Sequence, residues 1–228
     1  MSAFTHIVSL GYRCRTTRRL RDFFGTSTAF PFDWWITPVE GLVRFLADWD
    51  LERLYDPARL AQRRRWGRVI CVENRDYGFR LQHDFPMDEP REHVLPGWQA
   101  ALPEARSRTA HLMAKLDQQD RGDRNILFVR EVRPGEEAAP ERFAALCAAA
   151  QARVPQAQAS FLLISETGLE PAGWIPLRIK DPVRRPWSGT PAIWDAALAS
   201  LDFRFERRPG WGEPALTPPG GSLKVPAP

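Results

Sequence analysis

The sequence predicts an α/β fold: a three-layer domain with a mostly parallel central sheet and a β-hairpin insertion. Three observations predict it. From Glu104 to Leu201 short continuous apolar runs alternate with amphipathic helical stretches, the pattern of parallel strands covered on both faces. Near the amino end Ile7, Val8 and Leu10 form another such run, broken at Gly11 and followed by Leu20, Phe23 and Phe24 at helical spacing. Between these regions Val69–Val72 and Phe79–His83 flank Asn74, Asp76 and Gly78, which reads as a hairpin ending at His83.

Taken in order, Gly11 permits the sharp turn after the first strand, and Gly25 with the following TSTA stretch ends the first helix. PFDWW follows as an irregular aromatic connection. Thr37, Pro38 and Glu40 have the spacing of an N-cap, first-turn proline and capping-box partner, and Leu42, Val43, Phe45, Leu46 and Trp49 supply the apolar stripe of the helix they open. Asp56-Pro57 marks a break, and Ala58 to Arg65 reads as a short basic helix or loop. Pro86 to Pro103, with four prolines, reads as a long loop over the surface or over the site. Ala105, Thr109, Leu112, Met113 and Leu116 make a helix face, Ile126–Val129 a buried strand, and Pro140–Val154 an Ala-rich helix. Strands at Phe161–Ile164 and Ile175–Ile179 follow, then a helix from Pro191 to Leu201 capped by Thr190, with Phe203–Phe205 as an edge strand. Residues 1–207 are expected to form a single α/β domain and 208–228 a Pro/Gly-rich tail.

The composition is that of a globular chain, 43% hydrophobic and 26% charged. A formal charge of +4 invites a nucleic-acid reading. Lys is confined to Lys115, Lys180 and Lys224, however, so the basic character is an arginine bias typical of GC-rich coding sequence, with no nucleic-acid motif beside it. No nucleic-acid partner is therefore expected. No apolar run approaches the ~20 residues of a membrane span and no leader pattern is present, so a soluble, cytoplasmic chain is expected. Cys14, Cys71 and Cys147 are odd in number and widely separated, which fits neither a disulfide framework nor a metal knuckle. There is no Walker loop, G-x-G-x-x-G or G-x-S-x-G motif, so no cofactor and no metal is expected.

The chemistry centres on Cys14. It stands where a strand and a glycine turn deliver it to the first turn of a helix, whose unpaired N–H groups and partial positive charge stabilise a thiolate and can hold an oxyanion. Arg13, Arg15, Arg18 and Arg19 act in the same sense if they lie close. The competing reading is a small buried hydrophobe.

The blocks SLGYRC (Ser9–Cys14), PFDWW (Pro31–Trp35), YGFRLQHDF (Tyr77–Phe85) and W-S-G…W (Trp187–Trp194) occur in that order over most of the chain. Together they resemble a bacterial family described as papain-like cysteine peptidases. The resemblance implies Cys14 as nucleophile and His83, from the HDF block, as base, in the papain order of Cys before His. Three other histidines, His6, His93 and His111, read as structural or solvent-exposed. The C-G-S-C-W context of papain is absent, and the element order fits a three-layer α/β domain rather than a papain barrel. Asp33 and Asp84 are the candidate orienters of His83, with Asp33 favoured because alternation along a strand turns Asp84 away from the face of His83. Asn74 is a further alternative. Tyr12 and Arg13 beside Cys14, with Trp34 and Trp187 as cleft wall, are the candidate substrate-binding residues. Two functions stand open: a cysteine-dependent hydrolase or acyltransferase acting on a peptide or small-molecule substrate, or a transferase-type or non-catalytic module that binds an anionic sugar or nucleotide-sugar through its arginines.

Overall fold

A computed structural model describes residues 2–65, 68–81, 83–89, 92–181 and 188–206; the expected tail and Trp187 lie outside them. Two short strands, β1 (Ser2–Phe4) and β2 (His6–Ser9), lead through Gly11 to α1 (Cys14–Phe24). Gly25 ends α1 in the left-handed conformation at φ 61°, its N–H returning to the Arg21 carbonyl, so the expected stop is the observed one. Next come α2 (Val39–Asp48), the single turn α3 (Leu51–Leu54), and the strands β3 (Leu60–Arg65), β4 (Arg68–Asn74) and β5 (Phe79–Arg80). The second half runs α4 (Leu102–Asp117), β6 (Asn125–Glu131), α5 (Glu141–Arg153), β7 (Gln158–Ser165), β8 (Ile175–Arg178), α6 (Pro191–Ala199) and β9 (Phe203–Phe205).

The central sheet has four strands in the order β2-β6-β7-β8, every pair parallel. Alternation along the strands splits their side chains between two cores. Val8, Ile126, Phe128, Phe161 and Leu163 face one layer, packing with Phe143, Leu146 and Ala150 of α5, Leu42 and Phe45 of α2, and Met113 and Leu116 of α4. Leu127, Val129, Leu162, Ile164 and Leu177 face the other, against Leu20 of α1 and Trp194 and Leu198 of α6. The register sets Val8, Phe128 and Phe161 side by side, with the last two rings stacked at 5.6 Å. Helices on both faces of a parallel sheet give the expected three layers.

The hairpin is present as part of a separate three-stranded antiparallel sheet, β3-β4-β5. Two details differ from expectation. Ala58–Arg65 is mostly neither helix nor loop: after a 3-10 turn at Pro57–Arg59, Leu60–Arg65 is strand, paired antiparallel with β4. Near its tip the ribbon is exposed, so the successive Arg63 and Arg64 both face solvent and the alternation that would reveal a strand is lost. The second hairpin strand also ends at Arg80, which leaves His83 in a turn. In addition, Phe203–Phe205 pairs in parallel with β1 rather than extending the main sheet.

The capping box at Thr37 is not formed either. Pro38 is the N-cap of α2, and the amide of Val39 donates to the Glu136 carboxylate at 3.2 Å, a group 97 residues away. Thr37 is claimed by a stronger partner. Its hydroxyl donates to the Leu10 carbonyl at 3.0 Å and accepts from Arg130. Arg130 is fully buried. Its guanidinium reaches Leu10 O at 2.9 Å, Thr37 O at 2.8 Å and both Glu136 oxygens at 2.9 Å, so one charged fork ties the end of β2, the entry to α2 and the turn after β6 together. The turn between β2 and α1 is fastened at that point. Gly11 has φ +79°, and a Cβ there would lie 2.2 Å from the Thr37 hydroxyl, so only glycine fits.

Candidate functional site

The carboxyl ends of the central strands open on a small cleft of about 130 Å³, at the position where open α/β sheets hold their ligands. Tyr12, Arg13 and Arg15 enter it from the β2–α1 turn and the first turn of α1; Glu131, Val132, Pro134 and Glu137 come from the end of β6 and the loop after it. Ile164, Ser165 and Glu166 close the third side, with Ile179 and Trp194 behind them. The sequence reading missed Glu131, Glu137, Ser165 and Glu166 as site residues. For Glu131, Ser165 and Glu166 the signal is the repeated form of the two central strands, ILFVRE and FLLISE, in which an apolar run ends in a glutamate where the chain leaves the sheet; Glu137 has no such signal.

Arg15 is held rigidly. Its guanidinium donates to Glu131, whose other oxygen accepts from the buried Thr16 hydroxyl, and it lies 5.6 Å from the Trp194 ring centroid. Trp194 is in turn fixed by its indole N–H on Asp181 at 3.2 Å, and Asp181 also accepts from the Thr190 amide and hydroxyl. Thr190 thus stands at the N-cap position of α6 with its hydroxyl turned to Asp181 rather than to the helix. Arg13 is different: it meets the Tyr12 hydroxyl at 3.0 Å and the face of that ring at 4.8 Å, and among the described residues it has no carboxylate partner. It is also the N-cap of α1, a helix with no side-chain cap and no acidic residue in its first turn. The first-turn N–H groups and a guanidinium therefore face the same region.

Cys14 is the first residue of α1 and is partly buried. Burial pushes its thiol above the ordinary range; the backbone N–H groups of Cys14 and Arg15 pull against that, Glu131 adds to it and Arg13 opposes it. No imidazole is among these influences. His83 is exposed, its ring 5.7 Å from that of Trp34, and the opposite partner of Trp34 is the Arg21 guanidinium at 5.6 Å. Arg21 lies seven residues beyond Cys14, about 10 Å along the axis of α1. The structure therefore gathers His83, Trp34 and Arg21 at the far end of the helix from the thiol.

The two carboxylates are engaged elsewhere. Asp33 is buried and accepts from the Arg21 guanidinium, the Phe30 amide at 2.8 Å and the Thr17 hydroxyl at 3.3 Å; burial pushes its pKa up against the pull of Arg21. Asp84 accepts from the Trp35 indole at 2.9 Å and the Tyr55 hydroxyl at 2.7 Å, and burial pushes its pKa up as well. Each thus pins the aromatic segment to its surroundings, and neither set of partners includes an imidazole. The geometry brings Tyr12, Arg13 and Cys14 together as expected from their adjacency; it does not bring His83, Asp33 or Asp84 to them.

Among the described residues no group of three His, Cys, Asp or Glu side chains is placed to hold a metal ion, and no helix is long and apolar enough to cross a membrane. No family model, curated protein or solved structure matches the chain.

Proposed function

We propose that the cleft binds a small anionic molecule, of the class of a sugar phosphate or nucleotide-sugar, with its anionic group seated between Arg13 and the first turn of α1. The observation that carries this reading is Arg13, a guanidinium without a carboxylate partner among the described residues, standing at an uncapped helix N-terminus on the edge of a cleft at the carboxyl ends of parallel strands. A ligand there gains charge-assisted hydrogen bonds that Arg13 does not make within the chain. Arg15, already neutralised by Glu131 and stacked on Trp194, serves as wall rather than as the anion's partner. Thermal-shift titration with glucose 6-phosphate and UDP-glucose tests the reading: a bound ligand raises the melting temperature by mass action, and Arg13→Gln makes the rise smaller at every ligand concentration. No shift with either compound refutes it.

A second reading, the cysteine-dependent hydrolase or acyltransferase implied by the family resemblance, is favoured by one observation: Cys14 is the first residue of α1, where the backbone N–H groups of its own residue and Arg15 oppose the upward push of burial on its thiol. It requires a thiolate, and alkylation by iodoacetamide at neutral pH separates the two readings. Rapid, selective modification of Cys14 supports the hydrolase. Slow modification, unchanged in His83→Ala, is expected of the binding module, because burial holds the thiol protonated and His83 lies against Trp34.

A further inference from the structure

We infer that the ligand of this cleft is zwitterionic, carrying an ammonium group opposite its anionic group, as an amino-sugar phosphate does. The inference rests on the cleft being the binding site proposed above and adds the sign and place of a second charge. The cleft carries Arg13 and Arg15 against Glu131, Glu137 and Glu166. Arg15 and Glu131 cancel as a buried ion pair. What remains is Arg13 against two carboxylates: Glu137, whose side chain accepts only the Gly135 amide among the described residues, and the exposed Glu166, which shares the field of the already paired Arg15.

A ligand that fills the cleft strips water from all three groups. A purely anionic ligand satisfies Arg13 but forces two carboxylates to lose solvent beside a negative charge, which opposes binding. An ammonium group near Glu137 and Glu166 removes that penalty and adds charge-assisted hydrogen bonds. The sheet fixes the separation. Arg13 follows β2, Glu166 directly follows β7 and Glu137 lies in the loop after β6; with strands about 4.8 Å apart, the chain at Arg13 and at Glu166 is roughly 10 Å apart, which sets the scale for the separation of the two ligand charges. That span exceeds the ammonium-to-carboxylate distance of a free α-amino acid and suits groups at two positions of one sugar ring. Tyr12, partly exposed at the cleft, supplies apolar surface for the ring.

Isothermal titration of the full chain with glucosamine 6-phosphate, glucose 6-phosphate and N-acetylglucosamine 6-phosphate tests this. The first has the ammonium, the second lacks the nitrogen, and the third has it neutralised by acetylation. Glucosamine 6-phosphate is expected to bind about tenfold more tightly than the other two, an advantage lost in Glu137→Gln/Glu166→Gln and retained, at uniformly weaker affinity, in Arg13→Gln. Equal affinity for the three phosphates overturns the zwitterion and leaves the anion cleft standing. An advantage that survives the double carboxylate substitution overturns the placement of the amine. Failure of all three to bind overturns both readings. Circular dichroism of each variant keeps a folding defect from passing for a loss of binding.

Discussion

Replacing Arg130 by Met removes a group that satisfies three parts of the chain at once. The Thr37 carbonyl loses its guanidinium donor, the Leu10 carbonyl keeps only the Thr37 hydroxyl, and Glu136 is left with the amides of Val39 and Arg133. The Glu136 side chain is 8% exposed, so its charge stays buried without a counterion. Breaking such a pair from one side costs about 3–5 kcal/mol. For a chain of this size each kcal/mol moves the melting temperature by about 2–4 °C, which predicts a fall of roughly 6–20 °C by calorimetry or circular dichroism. Glu136→Leu alone should cost a similar amount, since it strands a buried guanidinium whose Nε already lacks a partner. The double variant Arg130→Met/Glu136→Leu strands neither charge, so it should be more stable than the sum of the single losses by about 2 kcal/mol or more. A melting temperature within about 3 °C of wild type for Arg130→Met, or strict additivity in the double variant, would refute the claim that the pair acts as a clip.

Gly11→Ala places a Cβ 2.2 Å from the Thr37 hydroxyl at a φ of +79°, and should lower stability by about 2 kcal/mol or more in urea titration. His6 is buried, and because Thr5 Oγ1 already donates to the Asn125 carbonyl, its remaining lone pair accepts the Nδ1–H of a neutral imidazole at 3.0 Å. Burial first, then Arg124 and Lys115, lower its pKa from 6.5 to about 4. Between those values the unfolded chain binds the proton that the folded chain refuses, so stability is complete above about pH 6.5 and falls by about 3 kcal/mol as pH drops to about 4. The difference between wild type and His6→Leu across that window measures it; a pH-independent difference contradicts it. His83→Ala should change stability by less than about 0.5 kcal/mol whereas Asp84→Ala should cost about 2 kcal/mol, because the first removes an exposed ring and the second leaves the Trp35 indole N–H without its acceptor and the Tyr55 hydroxyl with Thr109 alone. Cys147 should resist iodoacetamide, its thiol being pushed up to about 12 by burial, and modification of Cys147 ahead of Cys14 would contradict the environments described.

The layers were legible because they rest on local patterns. Leu20 with Phe23, or Ile126 through Val129, state their period within a few residues, and the alternation of such runs leaves little choice of architecture. What escaped reading depends on partners far apart in the chain. Thr37 has the look of a helix cap until Arg130, 93 residues later, takes its hydroxyl. Arg15 is one arginine among many until Glu131, 116 residues away, fixes it in the cleft wall. His83 and Asp84 are adjacent to one another and carry the resemblance, yet which way the turn after β5 faces depends on the aromatic cluster of Trp35, Tyr55 and Phe79, and that packing directs Asp84 inward and His83 outward. The cleft could be located in advance by the rule for parallel sheets; its charges could not, since they follow from which loops lie side by side.

The parallel pairing of β1 with β9 also governs how the fold bears load. Force applied to the chain before Ser2 and after Phe205 pulls the two strands along their length in opposite directions, so the backbone hydrogen bonds between them, with that from Glu206 N to Phe4 O at 2.8 Å, resist together in shear instead of parting one after another. Beneath them Phe4 packs edge to face on Phe203 at 5.0 Å, and sliding the strands must break that contact in the same event. A chain drawn from its two sides, by a stretching probe or by a degradation machine that threads it from one end, meets its first mechanical barrier at this three-residue seam, ahead of the sheet that carries the cleft.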